Sequence, residues 1–301
     1  MRLVRAASVA ALTALVLTSA GVPASAPQAR NGLIVYDSFR HVSADLYTMT
    51  AAGKKGRRLT RSPHDDEFPA WSPDGRRIAF GRSRDFVGSI YVMTAAGRKL
   101  TRVTPANVNA ADPTWSPDGN QLAFTVFTST TGPEIYVEDL RTHVLKDLTS
   151  ALGGGLTPAW SPAGSKIAFI SMRDDPTGDI YQLYTIAPDG SKLTRLTNEF
   201  SDHGAPDWAP NGSQLALSVY SGGNDRIAII NADGTGERKL KTPPAAIDPA
   251  WSPDGRRIVF SARPRSAPSR QIYVMGADGR GVRRLTHDHS EAGGPDWQRL
   301  R

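Results

Sequence analysis

The chain has no cysteine among its 301 residues. That excludes a disulfide framework, a thiol nucleophile and a lipid attached through an N-terminal cysteine. Long apolar runs are almost as scarce. Only Ala6 to Ala20 forms one, and it falls short of the roughly 18 residues of a membrane span. Arg2 and Arg5 precede it and small residues follow through Ala26, the outline of a secretory signal peptide. Cleavage is expected after Ala24 or Ala20, with an uncleaved anchor as the alternative. The expected product is an exported, monomeric chain, periplasmic or extracellular, with one domain over residues 27–301. No Gly-x-Ser-x-Gly elbow occurs, so the sequence offers no α/β-hydrolase nucleophile.

What the chain does have is a repeat. Its six tryptophans, Trp71, Trp115, Trp160, Trp208, Trp251 and Trp297, lie 44, 45, 48, 43 and 46 residues apart, and each follows Pro-x. A period of this length with one block of short strands per repeat predicts an all-β propeller, one blade per tryptophan. Residues 68–104 give the pattern. Strand A is Phe68–Trp71, and Ser72-Pro73-Asp74-Gly75 makes a tight turn in which Pro fixes φ and Gly accepts a positive value. Strand B is Arg77–Phe80, strand C is Ile90–Met93, and strand D ends in a Leu-Thr-like pair at Val103-Thr104. The fifth unit is the most eroded, with Ala209, Asn211 and Ala228 at repeat positions and Leu240-Lys241-Thr242 at its end. Asp74, Asp118 and Asp254 read as turn formers rather than catalytic acids.

The two ends predict closure. Trp297 is followed by only four residues, while Leu33–Tyr36 reads as a strand B with no strand A before it. Together they complete a sixth blade, in which the C-terminal strand pairs with the N-terminal three and removes the open edges of the array.

The Trp-Ser-Pro-Asp-Gly units, with their later Ile-Tyr and Leu-Thr, resemble the WD-like propeller repeat of the TolB family over residues 31–301. That resemblance implies a docking ring whose channel and one face receive peptide or protein partners. The α/β domain that precedes the propeller in TolB itself is not expected here, which bears on any Tol role.

Net charge is +7, and the basic residues fall mainly in outer strands and turns, such as Arg57-Arg58 and Arg283-Arg284. Charged outer strands guard sheet edges. With the expected export, this placement argues against nucleic acid as a partner. Loops joining D to the next A share a face with the variable B-to-C loops, where binding is expected. The D-to-A loops carry His64, Asp65, Asp66, Glu67, Asp112, Asp202, His203, Asp248, His287, Asp288, His289 and Glu291. These form the candidate binding rim, inside an outer set of Arg82, Arg84, Arg173, Arg263, Arg265 and Arg270. Such a rim suits a protein or peptide with basic groups. Calcium or another divalent cation is the possible cofactor, with the histidines admitting zinc. A non-catalytic scaffold is the expectation. A funnel-sited lyase or glycosidase and a structural subunit of an envelope assembly are the alternatives.

Overall fold

The computed structural model describes residues 29–300, except 86, 131, 176, 199–201, 221–224 and 265–266. The expected signal segment lies outside the described residues. Six four-stranded antiparallel sheets make up the fold, and a single 3-10 turn, Ser150–Leu152, is the only helical element described. Blades 2 to 6 each run A-B-C-D outward from the axis. Blade 1 takes its innermost strand, Ala292–Leu300, from the C-terminus and pairs it with Arg30–Ser38, so that Trp297 lies opposite Ile34. This is the six-bladed ring that the two chain ends predict, closed where they predict it.

Local chemistry explains the repeat. In the A-to-B turn the Ser72 hydroxyl donates to Asp74 Oδ1 at 2.6 Å and accepts from Arg77 N at 2.9 Å, while Gly75 holds φ at +68°. Serine and aspartate repeat the arrangement at Ser116–Asp118 and Ser252–Asp254. The threonine after strand D is buried, and its hydroxyl accepts an N–H from the first half of strand C: Thr60 from Leu46, Thr104 from Ile90, Thr149 from Ile135, Thr197 from Leu183 and Thr286 from Ile272. In the eroded fifth unit the pair is spaced differently, and the buried Thr242 Oγ1 has no partner among the described residues.

Each tryptophan belongs to one blade and packs on the one before it. Trp71 lies among Val35, Leu46 and Leu59 of blade 1, and Trp251 among Ile227, Ile229 and Leu240 of blade 5. Blades bury their flat faces only against neighbours, so the core is a ring of interfaces with no single centre.

One boundary differs from expectation. Strand A starts earlier than Phe68, at Asp65, and strand A of the fifth blade starts at Asp202. Several residues expected on D-to-A loops are therefore strand residues, held by ladder bonds and inter-blade contacts.

Candidate functional site: the axial channel

The inner strands are Ala292–Leu300, Asp65–Trp71, Ala110–Trp115, Leu156–Trp160, Asp202–Trp208 and Ile247–Trp251. Every one carries a bulge at the same place. Glu67 lies opposite Gly81 and Ala70 opposite Ala79, so three residue steps face two, and the other five strands slip identically. The extra residue precedes proline and has a left-handed backbone: Phe68, Asp112, Thr157, Ala205, Asp248 and Gly294, with φ from +40° to +55°. Such a φ is costly for side chains other than Gly, most of all for a β-branched one like Thr157. It persists because the fold holds it. Phe68 N donates to Asp37 Oδ1 at 3.3 Å, Thr157 N to Thr125 Oγ1 at 3.1 Å and Asp248 N to Ser218 Oγ at 3.1 Å, each from strand B of the preceding blade. The bulges aim six x-Pro pairs at the axis, where they enclose a cavity of about 160 Å³.

The backbone of this throat is six-fold, but its chemistry is lopsided. Asp112 and Asp248 stand on the ring itself, Glu67 just before it, and Asp37 behind it on strand B of blade 1. Blades 4 and 5 contribute Thr157 and Ala205 at the ring positions. Burial pushes Asp37 up to about 8, with Glu67 and Asp248 adding repulsion. Burial, then Asp65 and Asp112, bring Glu67 to about 7. Asp112 reaches about 6 through burial, against a bond from the Thr125 hydroxyl. Asp248 is raised too, by burial, with Arg270 nearby and a 3.1 Å bond from Ser261 offsetting part of it.

Two further carboxylates sit past the prolines. Asp296 Oδ2 accepts Trp71 N at 2.6 Å and Asp207 Oδ2 accepts Trp251 N at 2.6 Å, each reaching into the next blade. Burial raises them to about 6 and about 7.

These shifts set a pH dependence. Each acid holds its proton more tightly folded than unfolded. Between the ordinary carboxylate range and the raised value, the folded chain is protonated there and the unfolded chain is not, so stability falls as pH climbs through that window. The contribution of these acids to the melting temperature should therefore fall as pH rises from about 4 to about 8, and Asp37→Asn should flatten the slope. An unchanged slope in that variant would contradict the placement of Asp37.

The expected rim residues divide. Glu67, Asp112 and Asp248 come together at the throat. Others fasten blades: Asp65 Oδ1 accepts Ala44 N at 2.8 Å, Asp202 Oδ1 accepts Tyr181 N at 2.8 Å, and Glu291 Oε2 accepts Arg270 N at 2.9 Å. Each of these N–H groups lies at or just before strand C of the preceding blade. Asp66 is fully buried and takes a two-bonded ion pair from Arg82, at 2.6 and 2.9 Å. His203, also fully buried, has Nε2 3.1 Å from Glu237 Oε2. His64 is half-buried, His287 and His289 are exposed, and Asp288 pairs with Arg40 at 2.7 Å. Among the described residues no three His, Asp or Glu side chains gather as a metal ion requires. Three of the outer arginines are occupied as well. Arg82 lies over Phe80 and Tyr91, Arg173 over Phe169 and Tyr184, and Arg270 beside Glu291, while Arg84 and Arg263 are exposed. Arg265 lies outside the described residues.

Asp37, Asp207 and Asp296 are the site residues that the sequence reading missed, though each leaves a trace. Asp207 and Asp296 fill the x of Pro-x-Trp, which is otherwise Ala or Thr. Asp37 follows the strand B aromatic, where the other blades have Gly81, Thr125, Ile170, Ser218 and Ser261.

Comparison with known proteins agrees with this architecture. The family described as the TolB beta propeller domain matches residues 108–203 and 200–299. The chain belongs to the TolB β-propeller family. The Tol-Pal system protein TolB of Anaeromyxobacter dehalogenans (strain 2CP-C) is 32% identical over 117 residues, which is 39% of this chain and 26% of that protein. The chain thus spans about a quarter of the curated relatives of this kind that it matches. The crystal structure of TolB from Acinetobacter baumannii superposes with a TM-score of 0.77 at 26% identity, over 89% of this chain and 66% of that one. An oligogalacturonate lyase in complex with manganese superposes at 0.55 with 20% identity, over 86% and 74% of the two chains, a likeness of fold alone. No helix among the described residues is long and apolar enough to cross a membrane.

Proposed function

We propose that this TolB-family propeller is an exported, non-catalytic docking scaffold of the cell envelope, and that its throat receives a segment of a protein partner bearing a cationic group. One observation carries the reading. Asp112 of blade 3 and Asp248 of blade 6 line the axial x-Pro ring, and Asp37 of blade 1 and Glu67 of blade 2 lie close enough behind it to repel them and each other. A cation entering there would relieve their mutual repulsion and lower their pKa values, which is a source of affinity that a neutral segment lacks. Relatives that share the propeller are named as proteins of the Tol-Pal system, which supports an envelope location and protein partners.

Tetralysine is a suitable probe. Calorimetric titration of residues 27–301 should show binding that weakens by at least about tenfold in the Asp112→Asn, Asp248→Asn variant. Equal binding by variant and parent would place the interaction outside the throat and end this reading.

A further inference from the structure

The two ends of the ring differ in charge. The A-to-B and C-to-D turns share the end opposite the variable loops, since Ala95 N donates to Arg76 O at 2.8 Å and Ala277 N to Arg256 O at 2.9 Å. Turns of neighbouring blades also touch. Arg57 Nη2 donates to Ala96 O at 2.9 Å and Arg283 Nη2 to Ala51 O at 3.0 Å, which links blades 6, 1 and 2 into one arc.

That arc is basic and largely uncompensated. Lys54 and Lys55 of blade 1 and Arg76, Arg98 and Lys99 of blade 2 are exposed, as are Arg256 and Arg280 of blade 6. Among the described residues only Arg280 of these has a carboxylate within 4.0 Å, from Asp278 at 3.9 Å. Asp74 and Asp254 are half-buried and bonded to Ser72 and Ser252 within their own turns. The corresponding turns of blades 3, 4 and 5 are balanced, with exposed Asp118, Asp189 and Asp233 beside Arg141, Lys166 and Lys192. Two apolar side chains of the arc stand exposed just before strand D, as Val144 does in blade 3. Leu100, next to Lys99, is 46% exposed, and Val282, next to Arg283, is 37% exposed.

We propose that the turn end of blades 6, 1 and 2 rests on a bilayer surface containing anionic lipid. Lys54, Lys55, Arg98 and Lys99 would face the headgroups, and Leu100 and Val282 would enter the interface between them. Basic side chains around exposed aliphatic tips are what such a surface selects, because charge draws the protein down and burial of the tips holds it there. A soluble polyanion uses the charge but leaves the two tips without a purpose. On a membrane in this orientation the acidic throat opens away from the lipid, so the surface and the throat work independently.

The described ring closes within residues 30–300, so a chain of residues 27–301 contains that ring and lacks the apolar N-terminal segment that would bind lipid on its own. Co-sedimentation with phosphatidylcholine vesicles holding about a third phosphatidylglycerol should retain this chain, and pure phosphatidylcholine should not. Lys54→Glu, Lys99→Glu, Arg256→Glu together should weaken binding by at least about tenfold. Arg141→Glu, Lys166→Glu, Lys192→Glu should have far less effect, although it changes net charge equally. Leu100→Ser with Val282→Ser should also weaken binding at unchanged charge. All these positions are exposed, and melting curves confirm that the variants stay folded. Equal loss from both charge triplets would reduce the effect to net charge and overturn the assignment. So would retention on anionic vesicles by the Leu100→Ser, Val282→Ser variant, which would favour a soluble polyanion instead.

Discussion

A chain ending at Glu291 should lose cooperative thermal unfolding, because the strand Ala292–Leu300 does three jobs at once. It pairs with Arg30–Ser38 and completes blade 1. It carries Trp297, which is 3% exposed and lies between Ile34, Tyr36 and Met49 of blade 1 and Ile272, Val274 and Leu285 of blade 6. It also holds blade 2, through Asp296 Oδ2 to Trp71 N at 2.6 Å and Gln298 Nε2 to Gly75 O at 2.8 Å. Trp297→Ala alone should cost about 3–5 kcal/mol, the usual range for a large aromatic removed from a core. The truncation adds the lost pairing and exposes an inner strand edge, which together approach the whole stability margin of an ordinary domain. Near-ultraviolet circular dichroism during heating measures this directly. A truncated chain that melted at the parent midpoint would show that the ring does not depend on its last strand.

Arg82→Ala should destabilise by about 3–5 kcal/mol, on the order of 10 °C in melting temperature. Burial holds the Asp66 carboxyl above its ordinary range, and the hydrogen bonds and charge of Arg82 offset only part of that. Without Arg82 the carboxylate has lost its two guanidinium bonds in a fully buried position. The double variant Asp66→Asn, Arg82→Met should lie closer to the parent than Arg82→Ala does, since it removes both charges together. Chemical denaturation of the four forms closes the cycle. A coupling energy near zero would mean that the pair is incidental to stability.

Asp66 also shows why the rim was only half legible. Asp65-Asp66-Glu67 reads as an acidic loop, because acids between strands usually face water. Strand A, however, begins at Asp65, and alternation along a strand sends neighbouring side chains to different surroundings. Asp65 therefore fastens a neighbouring blade, Asp66 goes into an ion pair and Glu67 goes to the throat. His203 fails as a rim residue for the same reason: as the second residue of its strand it is buried.

The sequence by itself determined the fold, because everything that specifies a blade is local. Ser-Pro-Asp-Gly and the Leu-Thr ending act within about fifteen residues, through a turn and a cap on strand C, and Pro-x-Trp supplies a face that packs on the blade before it. Six copies and two complementary ends then leave one way to close. Only the tertiary structure decided the site. Asp37, Glu67, Asp112 and Asp248 lie up to 211 positions apart in the chain, and the repeat pattern marks the last three only as part of a longer set of acids and histidines on the D-to-A segments. They become a cluster because six bulges turn six x-Pro pairs onto one axis, and their raised pKa values arise from burial and mutual repulsion that exist only once the ring is closed. Charge shared among distant strands has no local pattern to read.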